Sequence, residues 1–232
     1  MPMLNHSNKK SGCLIIHGFG GNVKEVSPLA EYLAHQGFST ICPTLRGHTG
    51  NRKDLMNCTY KDWVTSAQKS YDQLYKECDR IFIIGFSMGG LIAIQLANNN
   101  PVEAIVTLNT PIYVWNIKNI FLNIIQDIRC KNPMNTFRYL NACMSFPMKA
   151  LIHFKRLLKC TKNIMKNVTC PLFVVQSLND DTVKLKSSDY IYQHVASPQK
   201  KKKIYEKSGH LILWSKISSL VMVDIGVFLK NI

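Results

Sequence analysis

The chain has 232 residues, 46% of them hydrophobic, enough to bury a sizeable core and too apolar for wholesale disorder. Its apolar runs fall far short of the roughly 20 residues a membrane span needs, and the polar start, Met1 to Lys10, has no signal-peptide core; a soluble, cytoplasmic protein is expected. Lysine and arginine number 29 against 14 acids, and the resulting charge of +15 attracts anionic surfaces or substrates without specifying a fold. No nucleic-acid-binding motif accompanies the charge, so nucleic acid is not an expected partner. The eight cysteines are scattered with no C-x-x-C pair. Without a secretion signal they are expected to be reduced, and no metal site is expected from their spacing.

In chain order, short β-rich runs alternate with helical patterns, which predicts an α/β fold with a mostly parallel sheet and crossover helices. Cys13-Leu14-Ile15-Ile16 reads as a buried strand. A helix is expected from Pro28 to Gln36, with Ser27 as N-cap, Pro28 in its first turn and Gly37 ending it. Ser39 to Cys42 is a second short strand. Thr59-Tyr60-Lys61-Asp62 resembles a capping box opening a helix that runs to Glu77, with Trp63, Val64, Ala67, Tyr71 and Leu74 as its buried stripe. Arg80 to Ile84 is the clearest strand, apolar on both faces as a central parallel strand should be. A helix over Leu91 to Asn98 follows it, then strands at Ala104 to Leu108, Pro171 to Gln176 and Lys202 to Tyr205, and a closing helix from Ile217 to Leu229. The basic run Gln199 to Lys203 reads as a solvated approach to the last strand.

Between Thr110 and Val168 the alternation stops. Ile117, Ile120, Phe121, Ile124, Ile125 and Ile128 keep helical spacing, and a second helical stretch covers Pro147 to Lys159. Residues 111–168 therefore read as a helical cap inserted into a single domain. Ten lysines and arginines face one acid, Asp127, in that stretch, so it carries +9 of the total charge.

The chemistry concentrates in four places. Gly85-Phe86-Ser87-Met88-Gly89 is a G-x-S-x-G turn between a strong strand and a helix, the context of a nucleophile elbow. Side chains at Gly85 and Gly89 would clash in so sharp a turn, and Ser87 would stand at a helix N-terminus, where developing negative charge is favoured. His17-Gly18-Phe19-Gly20-Gly21 follows the first strand directly, so Phe19 N–H and Met88 N–H are the expected pair of oxyanion donors. A dinucleotide loop is the poorer reading of this segment, because G-x-G-x-x-G spacing is absent. A triad in the chain order Ser, Asp, His then needs its last two members. His153 and His194 lie in helical patterns, whereas His210 follows Ser208-Gly209 in a loop after the last strand and is the expected base. Asp180 and Asp181 both follow the preceding strand and both qualify by position.

Taken together, H-G-F-x-G, G-H, G-x-S-x-G-G, F-V-V-Q followed by an Asp, and S-G-H resemble the small carboxylesterase and monoacylglycerol lipase family of α/β-hydrolases, from about Gly12 to Phe228. The resemblance implies an α/β-hydrolase fold without the first antiparallel hairpin of larger members, a small helical cap, no cofactor, and a triad of Ser87, Asp180 and His210; the distance from Phe173-Val174-Val175-Gln176 selects Asp180 over Asp181. The chain departs from the family pattern at Gly20, where Thr is frequent, at Thr49 after Gly47-His48, and at Asn179 beside the acid. The expected activity is serine-dependent hydrolysis of short- to medium-chain acyl esters. A thioesterase or acyltransferase with the same triad, or a non-catalytic binder of anionic membranes through the basic cap, are the competing expectations.

Overall fold

A computed structural model describes residues 10–114 and 147–232. Six parallel strands form one sheet in the order β2-β1-β3-β4-β5-β6. The strands are β1 (Ser11–Ile16), β2 (Ser39–Ile41), β3 (Arg80–Phe86), β4 (Ala104–Leu108), β5 (Leu172–Ser177) and β6 (Lys200–Tyr205). The chain starts at β1, steps outward to β2, then returns across β1 to β3 and proceeds to the far edge. Strand order thus reverses between β1 and β3, the kind of switch point where loops part and leave a crevice at the strand ends.

The side-chain alternation of the strands sorts the core into two layers. Leu14, Ile16, Ile81, Ile83, Leu172 and Val174 face one side, together with helices α3 (Tyr60–Glu77), α4 (Met88–Asn99), α5 (Met148–Ile164) and α6 (Lys186–His194). Cys13, Ile15, Phe82, Ile84, Phe173 and Val175 face the other, against α1 (Ser27–His35) and α7 (Ser218–Lys230). Strands buried on both faces account for the unbroken apolar runs in the sequence. The short α2 (Arg52–Met56) lies between β2 and α3 and has no counterpart among the expected elements.

The capping box forms as expected: Thr59 N–H donates to the Asp62 carboxylate at 2.9 Å, and Asp62 N–H donates back to Thr59 Oγ1 at 3.4 Å. Trp63, Ala67, Tyr71 and Leu74 are buried, and Val64 packs half-buried against them. Three expectations need correction. Ser27 is the first helical residue rather than the N-cap, because a 3-10 turn, Val23–Glu25, delivers the chain into α1 through Val26. The helix after β3 begins at Met88 rather than Leu91; Gly89 and Gly90 are poor helix formers and hid its first turn. The lysine run belongs to β6 itself, where Lys200 to Lys203 charge an outer strand that an uncharged edge would leave open to unwanted pairing.

Of the expected cap, α5 is described. It packs on α4, with contacts to α2 and α3. The expected helix from Ile117 to Ile128 lies outside the described residues, with Asp127 and four of the basic residues. Among the described residues no helix is long and apolar enough to cross a membrane. Six cysteines, 13, 42, 58, 78, 160 and 170, are free thiols.

Candidate active site

The loops leaving the C-terminal ends of β1, β3, β5 and β6 converge at the switch point. Ser87 follows β3 and caps α4, with φ 51° and ψ −121°. That backbone conformation is costly for a residue with a side chain, on the order of 1–3 kcal/mol, and persists only where the surroundings over-determine it. The surroundings do so. Ser87 N–H donates to Leu108 O on β4 at 2.8 Å, and Gly90 N–H donates to Ser87 O at 3.0 Å. A Cβ at position 85 would sit 2.2 Å from Gly89 backbone atoms, and one at position 89 would sit 2.2 Å from Ile16 O on β1. Both glycines are therefore steric requirements of the elbow.

His210 lies in the loop after β6. Its Nε2 is 3.1 Å from Ser87 Oγ, and its Nδ1 is 2.9 and 3.1 Å from the two oxygens of Asp180. A carboxylate only accepts, so Nδ1 carries the proton and Nε2 is left to accept from the serine hydroxyl. Asp180 is 5% exposed, and its Oδ1 also accepts from Thr182 N–H and Val183 N–H, each at 2.8 Å. Asp181 turns outward and takes a bond from its neighbour Thr182. The structure thus brings Asp180, not Asp181, to the histidine. His194 is stacked on Tyr190 in α6, and His153 is buried in α5 near Tyr60. Neither takes part in the hydrogen bond at Ser87, which His210 makes. The ring of Phe86, the residue before the serine, packs 5.1 Å from that of His210.

Met88 is the first residue of α4, so its N–H has no partner within the helix and points out of the helix end beside Ser87. Phe19 lies on the loop after β1. Its preceding residue, Gly18, approaches the elbow so closely that a Cβ there would stand 3.2 Å from Ser87 Cβ. His17, fully buried, accepts Leu45 N–H on Nε2 at 3.3 Å and donates from Nδ1 to Gly18 O at 2.9 Å. Burial lowers the pKa of His17, which keeps the ring neutral in that role. The ring of Phe19 rests among His48, Trp63 and Phe154, with centroids 6.3, 5.6 and 5.4 Å away. Helix α5 therefore touches the loop after β1 through Phe154. Burial, reinforced by His17, pulls the pKa of His48 down to about 4.

The chain also matches the general model of the alpha/beta hydrolase fold over residues 14–127. A thermostable monoacylglycerol lipase of Bacillus sp. (strain H-257) is 30% identical over 205 residues, covering 83% of this chain and 80% of that relative. The chain belongs to the α/β-hydrolase family, in its carboxylesterase and monoacylglycerol lipase branch. A carboxylesterase of Bacillus subtilis (strain 168) is 27% identical over 226 residues, covering 94% of the chain and 92% of the relative. Among solved structures, one from a study of the metagenome-derived lipolytic enzymes LipS and LipT superposes with a TM-score of 0.82 at 20% identity, covering 97% of this chain and 95% of that one. A soluble variant of a monoglyceride lipase from Saccharomyces cerevisiae superposes with a TM-score of 0.73 at 20% identity, covering 99% and 89%.

Two residues of this α/β-hydrolase site escaped the sequence. Asn109, at the end of β4, is fully buried with φ 47°. Its Nδ2 donates to His210 O at 2.7 Å and to Ser177 Oγ at 3.0 Å, and its Oδ1 accepts Ser177 N–H at 2.7 Å. It clamps the histidine loop to β5. Its only sequence signal is a polar residue ending an apolar strand. Glu25, on the 3-10 turn before α1, accepts Gly18 N–H on Oε2 at 3.0 Å. Burial raises its pKa, opposed by the Gly18 bond and by the nearby His210. It has the room to do so because Gly21 lacks a side chain; a Cβ there would overlap the Glu25 carboxyl at 2.2 Å.

Proposed function

We propose that this enzyme hydrolyses carboxylic esters by acyl transfer through Ser87, with His210 as base and Asp180 as the group that orients it. The observation that carries the proposal is the continuous relay from Ser87 Oγ through His210 to Asp180, at 3.1 and 2.9 Å, in an α/β-hydrolase scaffold. His210 Nε2 takes the serine proton as Oγ attacks the ester carbonyl, and the Met88 and Phe19 amides receive the oxyanion. His210 then protonates the leaving alcohol, water attacks the acyl-enzyme, and the same groups act in reverse order to free the acid. Asp180, buried and bonded to two backbone amides, holds the imidazole in the tautomer the first step needs.

The substrate class proposed is short- to medium-chain acyl esters, monoacylglycerols among them, as the names of the two Bacillus relatives suggest. An anionic lipid surface is the proposed source of such substrates. Helix α5 carries no acid, exposes Lys149, Lys155, Arg156 and Lys159, and exposes Met148 and Ile152 on the same outer side. Residues 111–168 would form the cap that includes it. A series of chromogenic esters of increasing acyl length, with a thioester and a monoacylglycerol alongside, tests the proposal. Ester turnover that peaks at short to medium chains and vanishes in Ser87→Ala is expected. Turnover unchanged in Ser87→Ala, or seen only with thioesters, would overturn it.

A further inference from the structure

Gly18 has both of its backbone polar groups held by side chains. Its carbonyl accepts from His17 Nδ1–H, and its N–H donates to the Glu25 carboxylate. The Gly18 carbonyl and the Phe19 N–H belong to one peptide unit. In a trans peptide those two groups point in opposite directions, so the His17 bond sets the plane that aims the Phe19 N–H, and the Glu25 bond fixes the preceding peptide, on the other side of the Gly18 hinge. Gly18 needs such fixing because it has no side chain and its φ and ψ are the least restricted of any residue. A Cβ there would be crowded, 3.2 Å from both the Glu25 carboxylate and Ser87 Cβ, so any side chain would have to push one of them aside.

Glu25 is itself well anchored. It ends the 3-10 turn that Asn22 caps by accepting Lys24 N–H at 2.9 Å. The carbonyl of Lys24 accepts from Trp214 Nε1 at 3.0 Å, and Trp214 closes the 3-10 turn just after His210. The same short turn is thus tied to the oxyanion loop on one side and to the histidine loop on the other. The Glu25 carboxyl occupies the space a side chain at position 21 would fill, so Gly21 is what allows it to reach Gly18.

We infer that Glu25 is a positioning residue for ester hydrolysis: its carboxylate holds the Gly18 amide so that the Phe19 N–H meets the oxyanion as the acyl intermediate forms. The inference rests on the proposed role of Ser87. It predicts a defect confined to the transition state, because a carbonyl in the ground state needs the donor less than the oxyanion does. In Glu25→Ala, kcat is expected to fall by about tenfold to a hundredfold, the range in which a misplaced group near the reacting atoms acts, while KM moves by less than about threefold. The affinity of a trifluoromethyl ketone, whose hemiketal adduct with Ser87 Oγ mimics the tetrahedral intermediate, should fall in parallel with kcat/KM. Glu25→Gln keeps an acceptor oxygen at the same reach and should recover most of the loss. Gly21→Ala, whose methyl group would displace the carboxyl, should lose about as much as Glu25→Ala. If Glu25→Ala does not fold, Glu25→Asp supplies the same comparison, since it keeps the charge but withdraws it by one methylene. Wild-type kcat in a folded Glu25→Ala, or Glu25→Gln as impaired as Glu25→Ala, would overturn the inference. A wild-type protein that hydrolyses no ester would instead remove the reading of Ser87 on which it rests.

Discussion

Around Ser87 the restraints are main chain and missing side chains; around His210 they are side chains. The serine is wedged where β3 turns into α4, between β1 and β4, with glycines at 85 and 89 because a methyl group would strike backbone at 2.2 Å in either place. The histidine stands in an irregular loop between β6 and a 3-10 turn, with no ladder or helix to fix it. Asn109, Ser177, Ser208 and Asp180 do so instead: Ser208 Oγ donates to Ser177 Oγ at 2.8 Å, and Asn109 reaches the carbonyl of His210 itself. A group at a strand–helix junction inherits its position from cooperative secondary structure. A group on a loop needs a polar network of its own, and such a network costs free energy wherever one member is left without a partner.

The contrast can be broken from either side. The largest effect is expected on the elbow. Gly89→Ala should cost at least about 3 kcal/mol, because the new methyl group can be accommodated only by separating α4 from the end of β1; loss of soluble protein, or a large fall in the urea midpoint, is the expected readout. Next comes the histidine clamp. Asn109→Ala leaves the Ser177 amide and the His210 carbonyl buried without their partner, at about 1–3 kcal/mol for each, and places Ala in a left-handed conformation. It should fold, melt earlier and turn over esters more slowly, with the loss mainly in kcat. An Asn109→Ala as stable and as active as wild type would show that the loop holds itself.

A smaller effect, spread over both regions, concerns pH. His48 is buried beside the loop after β1 and its pKa is lowered to about 4, mainly by burial. The unfolded chain binds a proton there below pH 6.5, and the folded chain resists it. Stability is therefore full above pH 6.5 and is lost as the pH falls toward 4, by up to about 3 kcal/mol from this one group at 1.36 kcal/mol per unit. His17, lowered in the same direction by burial, adds to the loss. Thermal melts between pH 8 and 4 should show a plateau and then a decline, and His48→Phe should flatten it. The smallest effect belongs to α5. Charge reversal at Lys155, Arg156 and Lys159 should leave stability within about 0.5 kcal/mol, as for most surface changes. It should also leave soluble-ester turnover unchanged while weakening binding to anionic vesicles.

The same contrast explains what the sequence could and could not reveal. The elbow was legible because its requirements are steric and local. Two glycines around one serine, after an apolar strand, have few other uses, and β1 and β3 to β5 announced themselves by burial on both faces. Asp180 and His210 were legible from their places after β5 and β6, although only the family resemblance separated Asp180 from Asp181. Asn109 acts on a loop distant in sequence, since His210 lies 101 residues beyond it, and Glu25 acts back across a turn on Gly18, outside any helical or strand spacing. No local pattern encodes such contacts. Ser27 failed as a cap for a related reason: a strong local propensity lost to the chain direction that the Val23–Glu25 turn imposes. The first turn of α4 was hidden by Gly89 and Gly90, whose presence the elbow itself demands.

The central claim is that Ser87 is an activated nucleophile. Incubation of the intact protein with a fluorophosphonate, followed by mass mapping of the adduct, tests it most directly. A single adduct on Ser87 is predicted, absent from a folded Ser87→Ala and formed far more slowly by His210→Ala. An intact wild type that stays unlabelled under conditions that label an active serine hydrolase, or an adduct carried elsewhere while Ser87 remains free, would contradict it.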